Sequence, residues 1–124
     1  MGNLFPVPQT VLIVDDHAGF RHAARALLEA DGFDVIGESA TGNAGLADAG
    51  RLRPDLVLLD VGLPDIDGIE VCGRLSSCPG GGPMVVLTSS RDASDYPPHF
   101  EHCGARGFIA KAELSGDALA LLAA

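Results

Sequence analysis

Basic residues are scarce in this chain. Eight lysines and arginines stand against 17 aspartates and glutamates, a formal net charge of −9, which opposes the phosphate attraction on which nucleic-acid affinity mainly rests. Direct binding to DNA or RNA is not expected. Long apolar runs are also missing: uninterrupted stretches such as Val11–Val14 and Leu56–Leu59 are short, and Met1–Val7 has neither a basic region nor a long apolar segment. The expectation is a cytoplasmic protein with no membrane span and no secretory leader. Cysteine is confined to Cys72, Cys78 and Cys103. An odd number without paired metal-ligand spacing argues for a reducing compartment, against a disulfide framework, and for no redox role.

What is abundant is apolar surface, 47% of 124 residues, enough for one compact core and too little chain for two. Thr10–Val14 is a short β-branched run that stops at Asp15 and Asp16, and Leu56–Leu59 stops in the same way at Asp60. Both read as buried strands delivering carboxylates to a sheet edge. Between them, Phe20, Ala23, Ala24, Leu27 and Leu28 recur at helical spacing, Gly32 is a stop signal, and Asp34–Ser39 reads as a strand. Thr41 is placed to cap a second helix containing Leu46, Ala47 and Ala49, which Pro54 ends; Ile69, Val71, Cys72 and Leu75 mark a third. Met84–Leu87, ending at Thr88, and Gly107–Ala110 read as further strands, and Ser115 can cap a last helix with Ala118, Leu119, Leu121 and Leu122 on its apolar face. Strands alternating with helical segments imply a doubly wound α/β fold around a five-stranded parallel sheet.

In such a sheet the ligand crevice lies beyond the carboxyl ends of the strands, where Asp15, Asp16, Asp60, Thr88 and Lys111 would converge. Clustered carboxylates repel one another, and a hard divalent cation relieves that repulsion; Mg2+ is the natural choice because it takes one or two carboxylates together with phosphate oxygens. Lys111 then acts as a point charge beside a phosphoryl group.

The motifs Val14-Asp15-Asp16-His17, Leu59-Asp60-Val61-Gly62-Leu63-Pro64-Asp65-Ile66-Asp67-Gly68, Val86-Leu87-Thr88-Ser89 and Gly107-Phe108-Ile109-Ala110-Lys111 occur in this order at strand ends. In this the chain resembles a bacterial two-component response-regulator receiver domain over nearly its whole length, and the pattern after Lys111 is similar both to regulators that often carry a helix-turn-helix output domain and to single-domain actinobacterial receivers. The resemblance implies a flavodoxin-like fold and a signalling role rather than an enzyme's. It implies phosphoryl transfer from a sensor histidine kinase to Asp60, Mg2+ held by Asp15, Asp16, Asp60 and the Gly62 carbonyl, and a hydrogen bond from Thr88 to the phosphoryl group. It also implies a switch through Thr88 and Phe108, an unidentified downstream partner, and a possible homodimer. Phe108 reads equally as a plain core residue. A receiver-like docking module that works without phosphorylation is the alternative function.

Departures from the family pattern are Ala112, where receivers commonly carry proline, and Tyr96-Pro97-Pro98, which interrupts the expected fourth helical segment and should leave it short or irregular. The chain is read as one receiver domain over residues 1–124 with no effector domain. His17 and His22 are read as solvent-facing, and His99, His102 and Cys103 lack the second half of a zinc site.

Overall fold

A computed structural model describes residues 9–78, 80–90 and 103–123. The sheet consists of β1 (Thr10–Val14), β2 (Asp34–Ser39), β3 (Leu56–Asp60), β4 (Met84–Ser89) and β5 (Gly107–Ala110), all parallel in the order β2-β1-β3-β4-β5. Helices α1 (Ala18–Ala30), α2 (Gly42–Leu52), α3 (Gly68–Ser76) and α4 (Gly116–Ala123) cover its two faces. This is the flavodoxin-like doubly wound arrangement the strand-helix alternation predicts, with the order reversing between β1 and β3. The segment around Tyr96-Pro97-Pro98, together with His99 and His102, lies outside the described residues, within which four helices are found rather than five.

Strand alternation divides the core in two. Val11, Ile13, Leu56, Leu58 and Val86 pack with Leu28 of α1 and Leu119 of α4, whereas Leu12, Val14, Val57, Leu59 and Leu87 pack with Ala49 of α2 and Val71, Cys72 and Leu75 of α3. Side chains of successive strand residues point to opposite faces, so a four-residue apolar run with both faces covered is buried throughout. That burial is why the carboxylates at the ends of β1 and β3 begin where the apolar run stops.

The helices start and stop at chemically identifiable points. Thr41 Oγ1 accepts from Ala44 N at 3.0 Å, Asp67 Oδ1 from Ile69 N at 2.8 Å, and Ser115 Oγ from Ala118 N at 3.0 Å, each satisfying an otherwise orphaned first-turn donor. Arg53 ends α2 with φ 50° just before Pro54. Two further caps come from far along the chain: Asp65 Oδ1 and Oδ2 accept from Gly42 N and Asn43 N at 2.7 and 2.9 Å, and Asp31 Oδ2 accepts from Gly116 N at 3.0 Å. Those two N–H bonds hold the Asp65 carboxyl below its ordinary pKa, in keeping with an anion at a helix N-terminus. The loop after β3 is thereby fastened to α2.

Four residues read as apolar markers of helices are exposed, Ala23 and Leu27 of α1, Ala47 of α2 and Leu121 of α4. Leu121, assigned to the apolar face of the last helix, is 80% exposed. The run from Ala118 to Ala124 is apolar all round and so marks no face, and the packing of Leu119 against the sheet decides the rotation. Ala47 is likewise exposed, because Gly42, Gly45 and Ala49 make the buried stripe of α2; Gly45 brings the helix close enough that a Cβ there would lie 2.8 Å from Val14.

Candidate functional site

β1 and β3 are neighbours, with Val14 level with Leu59, so the residues that follow them, Asp15 and Asp60, meet at one edge. Asp15 is held by its backbone: its N–H donates to the Ser39 carbonyl at 2.9 Å, and its own carbonyl accepts from Arg21 Nη1 at 2.5 Å. Arg21 is anchored in turn by Glu38 at 3.1 Å. The Asp15 side chain is also engaged at both oxygens, Oδ1 accepting from His17 N at 2.8 Å and Oδ2 lying 2.7 Å from Lys111 Nζ.

Asp60 is bound more loosely. Its Oδ1 accepts a long 3.2 Å hydrogen bond from Gly62 N, and its Oδ2 stands 3.8 Å from Lys111 Nζ. Burial pushes its carboxyl above the ordinary carboxylate pKa, Asp15 and Asp16 add to the rise, and the Gly62 N–H and Lys111 oppose it. An ionised Asp60 is therefore a costly feature of the fold, and a group of opposite charge would be welcome beside it.

Lys111 follows β5 and opens a 3-10 turn, Lys111–Glu113, that passes through Ala112. Its ammonium is only 14% exposed, spans both buried carboxylates, and lies 4.5 Å from the centroid of the Phe20 ring. Thr88 is level with Asp60 in the β3–β4 ladder. Its Oγ1 is buried and has no hydrogen-bond partner among the described residues, a condition that costs about 1–3 kcal/mol when left uncompensated. A phosphoryl oxygen would relieve it.

Asp16 lies partly exposed at the mouth of the site. Asp15, Asp16, His17 and Asp60 each present one ligand atom, all within 4.8 Å of one another. The oxygen-rich set suits a hard divalent cation, since hard cations take carboxylate and carbonyl oxygens in preference to imidazole nitrogen.

The structure thus brings Asp15, Asp16, Asp60, Thr88 and Lys111 together, with Gly62 adjacent. Phe108 is elsewhere: its half-buried ring packs against the cluster that α2 and α3 cover. Sequence reasoning placed His17 in solvent. It is exposed, yet its ring Nδ1 lies 3.3 Å from Asp15 Oδ1 and 3.2 Å from Asp16 Oδ1. The missed signal is position, since a residue two past an aspartate can donate its N–H back to that side chain in an Asx turn. Phe20 and Arg21, one turn further on, were equally unreadable as supports.

Comparison with known proteins agrees with the geometry. Residues 11–122 match the family model of the response regulator receiver domain. BvgA of Bordetella pertussis is 44% identical over 104 residues, covering 83% of this chain and 49% of that protein. The DNA-binding response regulator MtrA of Mycobacterium tuberculosis is 41% identical over 105 residues, covering 83% and 44%. The chain spans about half the length of the curated relatives it matches. Among solved structures, the BeF3-activated N-terminal receiver domain of RstA from Klebsiella pneumoniae superposes with a TM-score of 0.79 at 28% identity, covering 91% of this chain and 94% of that one. The CheY-like receiver domain protein of Methanospirillum hungatei gives 0.77 at 26% identity, covering 93% and 90%.

Proposed function

Because the chain belongs to the response regulator receiver family of two-component signalling, we propose that Asp60 is its phosphoacceptor, loaded by a sensor histidine kinase and read by a downstream protein. The observation that supports this most is the contrast between two buried carboxylates: both Asp15 oxygens are engaged, whereas Asp60 Oδ2 keeps only a 3.8 Å contact with Lys111. The freer oxygen is the better nucleophile, and as a carboxylate it needs no base to activate it.

An Asp60 oxygen bonds to phosphorus as the bond from phosphorus to the donor group breaks, in line and with charge spreading over the equatorial oxygens. Lys111, already beside Asp60 Oδ2, pairs with one of those oxygens, and the Thr88 hydroxyl donates to another. Asp15, Asp16, Asp60 and the Gly62 carbonyl would hold Mg2+, which when bound supplies positive charge that offsets both the carboxylates and the incoming group. The protein assists this step without turning over a substrate, so it acts as a switch. No helix among the described residues is long and apolar enough to cross a membrane, and the acidic surface suits protein partners better than nucleic acid.

Incubation with acetyl phosphate and Mg2+ should add about 80 Da, one phosphoryl group, and omitting Mg2+ should suppress the gain. An unchanged mass under both conditions would defeat the proposal. Asp16→Ala should weaken Mg2+ binding about tenfold or more and slow labelling in parallel, as loss of a metal-orienting carboxylate does. An identical Mg2+ titration would remove Asp16 from the site.

Lys111→Ala separates loading from response. In chelator it leaves Asp15 and Asp60 without their cation, a loss of about 3 kcal/mol for a buried pair broken on one side, and Mg2+ should restore much of the melting temperature. With Mg2+ it should still accept the phosphoryl group yet show smaller amide chemical-shift changes than the native protein. Equal shifts would show that Lys111 does not transmit the signal.

A further inference from the structure

The site described above uses none of the cysteines, and two of them meet between α3 and the segment before β5. Cys72 on α3 and Cys103, which precedes β5, are 31 residues apart in sequence and 2.9 Å apart at their sulfurs. Neither is in a disulfide. A disulfide requires a separation of about 2.05 Å, so the two atoms need to approach by only about 1 Å. The backbone is committed to this juxtaposition. Cys72 Sγ also contacts the Cys103 carbonyl at 3.5 Å, and Gly104, at φ +97°, lies so close to α3 that a Cβ would be 2.5 Å from Ser76 Oγ, one turn beyond Cys72.

We propose that a hydroperoxide converts Cys72 and Cys103 into a reversible disulfide that fastens α3 to the segment leading into β5. The two sulfurs have different parts. Cys72 is fully buried, and burial together with the neighbouring Cys103 pushes its thiol up to about 12, so it is a poor first target for an oxidant in solution. Cys103 is only partly buried, so it is the more accessible residue of the two.

In the first step the Cys103 thiolate bonds to one peroxide oxygen, the O–O bond breaks, and the departing hydroxide takes a proton to become water, leaving a sulfenic acid. In the second, Cys72 Sγ bonds to Cys103 Sγ, the S–O bond breaks, and the hydroxide leaves with the Cys72 proton as a second water. Two electrons pass from the thiols to one hydrogen peroxide, and a dithiol reductant reverses the exchange. In a reducing compartment such a bond is transient, as a sensor's must be. Its position matters because α3 begins directly after the Asp60 loop and β5 ends one residue before Lys111. Oxidation would therefore restrain α3, which leaves the site, and the segment that enters β5, which runs up to it.

Cys78 is exposed, so the test uses Cys78→Ser to remove that thiol. Hydrogen peroxide should make this variant about 2 Da lighter while it remains monomeric on a non-reducing gel. Unreduced peptide mapping should find Cys72 joined to Cys103, and dithiothreitol should restore both thiols to alkylation. Adding Cys103→Ser should abolish the mass loss. Mapping of the native protein supplies the same readout without any variant. The proposal fails if both thiols remain alkylatable at a peroxide dose that oxidises Cys78 in the native protein. It also fails if Cys103 proceeds to a sulfinic acid, about 32 Da heavier, without a cross-link, or if the bridge formed involves Cys78.

Discussion

Asp60→Asn is expected to take up no phosphoryl group from acetyl phosphate and at the same time to melt at a higher temperature than the native protein. The first result follows from chemistry: the amide keeps the shape and can still accept from Gly62 N, but it has lost the nucleophilic oxygen. The second follows from electrostatics. Asp60 is buried beside Asp15 and Asp16, and its raised pKa means that the ionised form costs the fold stability at neutral pH, whereas Lys111 keeps its 2.7 Å contact with Asp15 after the substitution. The gain is expected in chelator, where no metal ion offsets the clustered carboxylates and burial opposes the ionised form. Added Mg2+ should reverse the ranking, because the native protein gains more from binding it. Labelling of the variant at the native level would remove Asp60 from the mechanism. A lower melting temperature in chelator would instead mean that its charge is compensated in the resting fold.

Strands β1, β3 and β4 were legible because each is largely a run of β-branched or leucine residues buried on both sides and ended by a polar residue. Thr10–Val14, Asp34–Ser39 and Gly107–Ala110 have the bounds the pattern predicts, while β3 and β4 extend through Asp60 and Ser89. The convergence of Asp15, Asp60, Thr88 and Lys111 was legible for the same reason. Parallel strands of a doubly wound sheet all present their carboxyl ends at one edge, so sequence position at a strand end fixes spatial position. What sequence could not reveal are contacts that depend on the distance between separately packed elements. Asp65 capping α2, Asp31 capping α4, and Cys72 meeting Cys103 bridge 23, 85 and 31 positions respectively. None carries a local signature, since a carboxylate or thiol in a loop looks the same whether or not a partner faces it. The orientation of α4 was hidden differently: with Ala and Leu on every side, eight residues do not specify which leucine turns inward, and Leu121 was misplaced.

The same glycine-to-alanine change should have opposite signs at two places on α3. Gly68 opens the helix where the chain returns from the Asp60 loop, and its N–H donates to the Val61 carbonyl at 3.1 Å. A Cβ there would lie 2.4 Å from the Asp60 carbonyl oxygen and 2.6 Å from Val61 Cα. Both obstacles are backbone, so no side-chain rotation relieves the clash. Either α3 backs away from β3 or the Asp60–Val61 peptide moves. Gly68→Ala should therefore cost about 2–4 kcal/mol, the upper range for overpacking, and lower the melting temperature by roughly 10 °C. Because the displaced peptide carries the proposed nucleophile, labelling by acetyl phosphate should slow by about tenfold to a hundredfold even at temperatures where the variant is folded. Gly73, five residues along, has nothing within 4 Å of the corresponding Cβ position. Gly73→Ala should stabilise the helix by about 0.5–1 kcal/mol through lost unfolded-state freedom and leave labelling unchanged. Paired thermal melts and labelling time courses decide the matter. A Gly68→Ala protein that melts and labels like the native one would mean that the loop carrying Asp60 is not held by its contact with α3, and the rigidity invoked for the phosphoacceptor would have to come from the Asp65 cap alone.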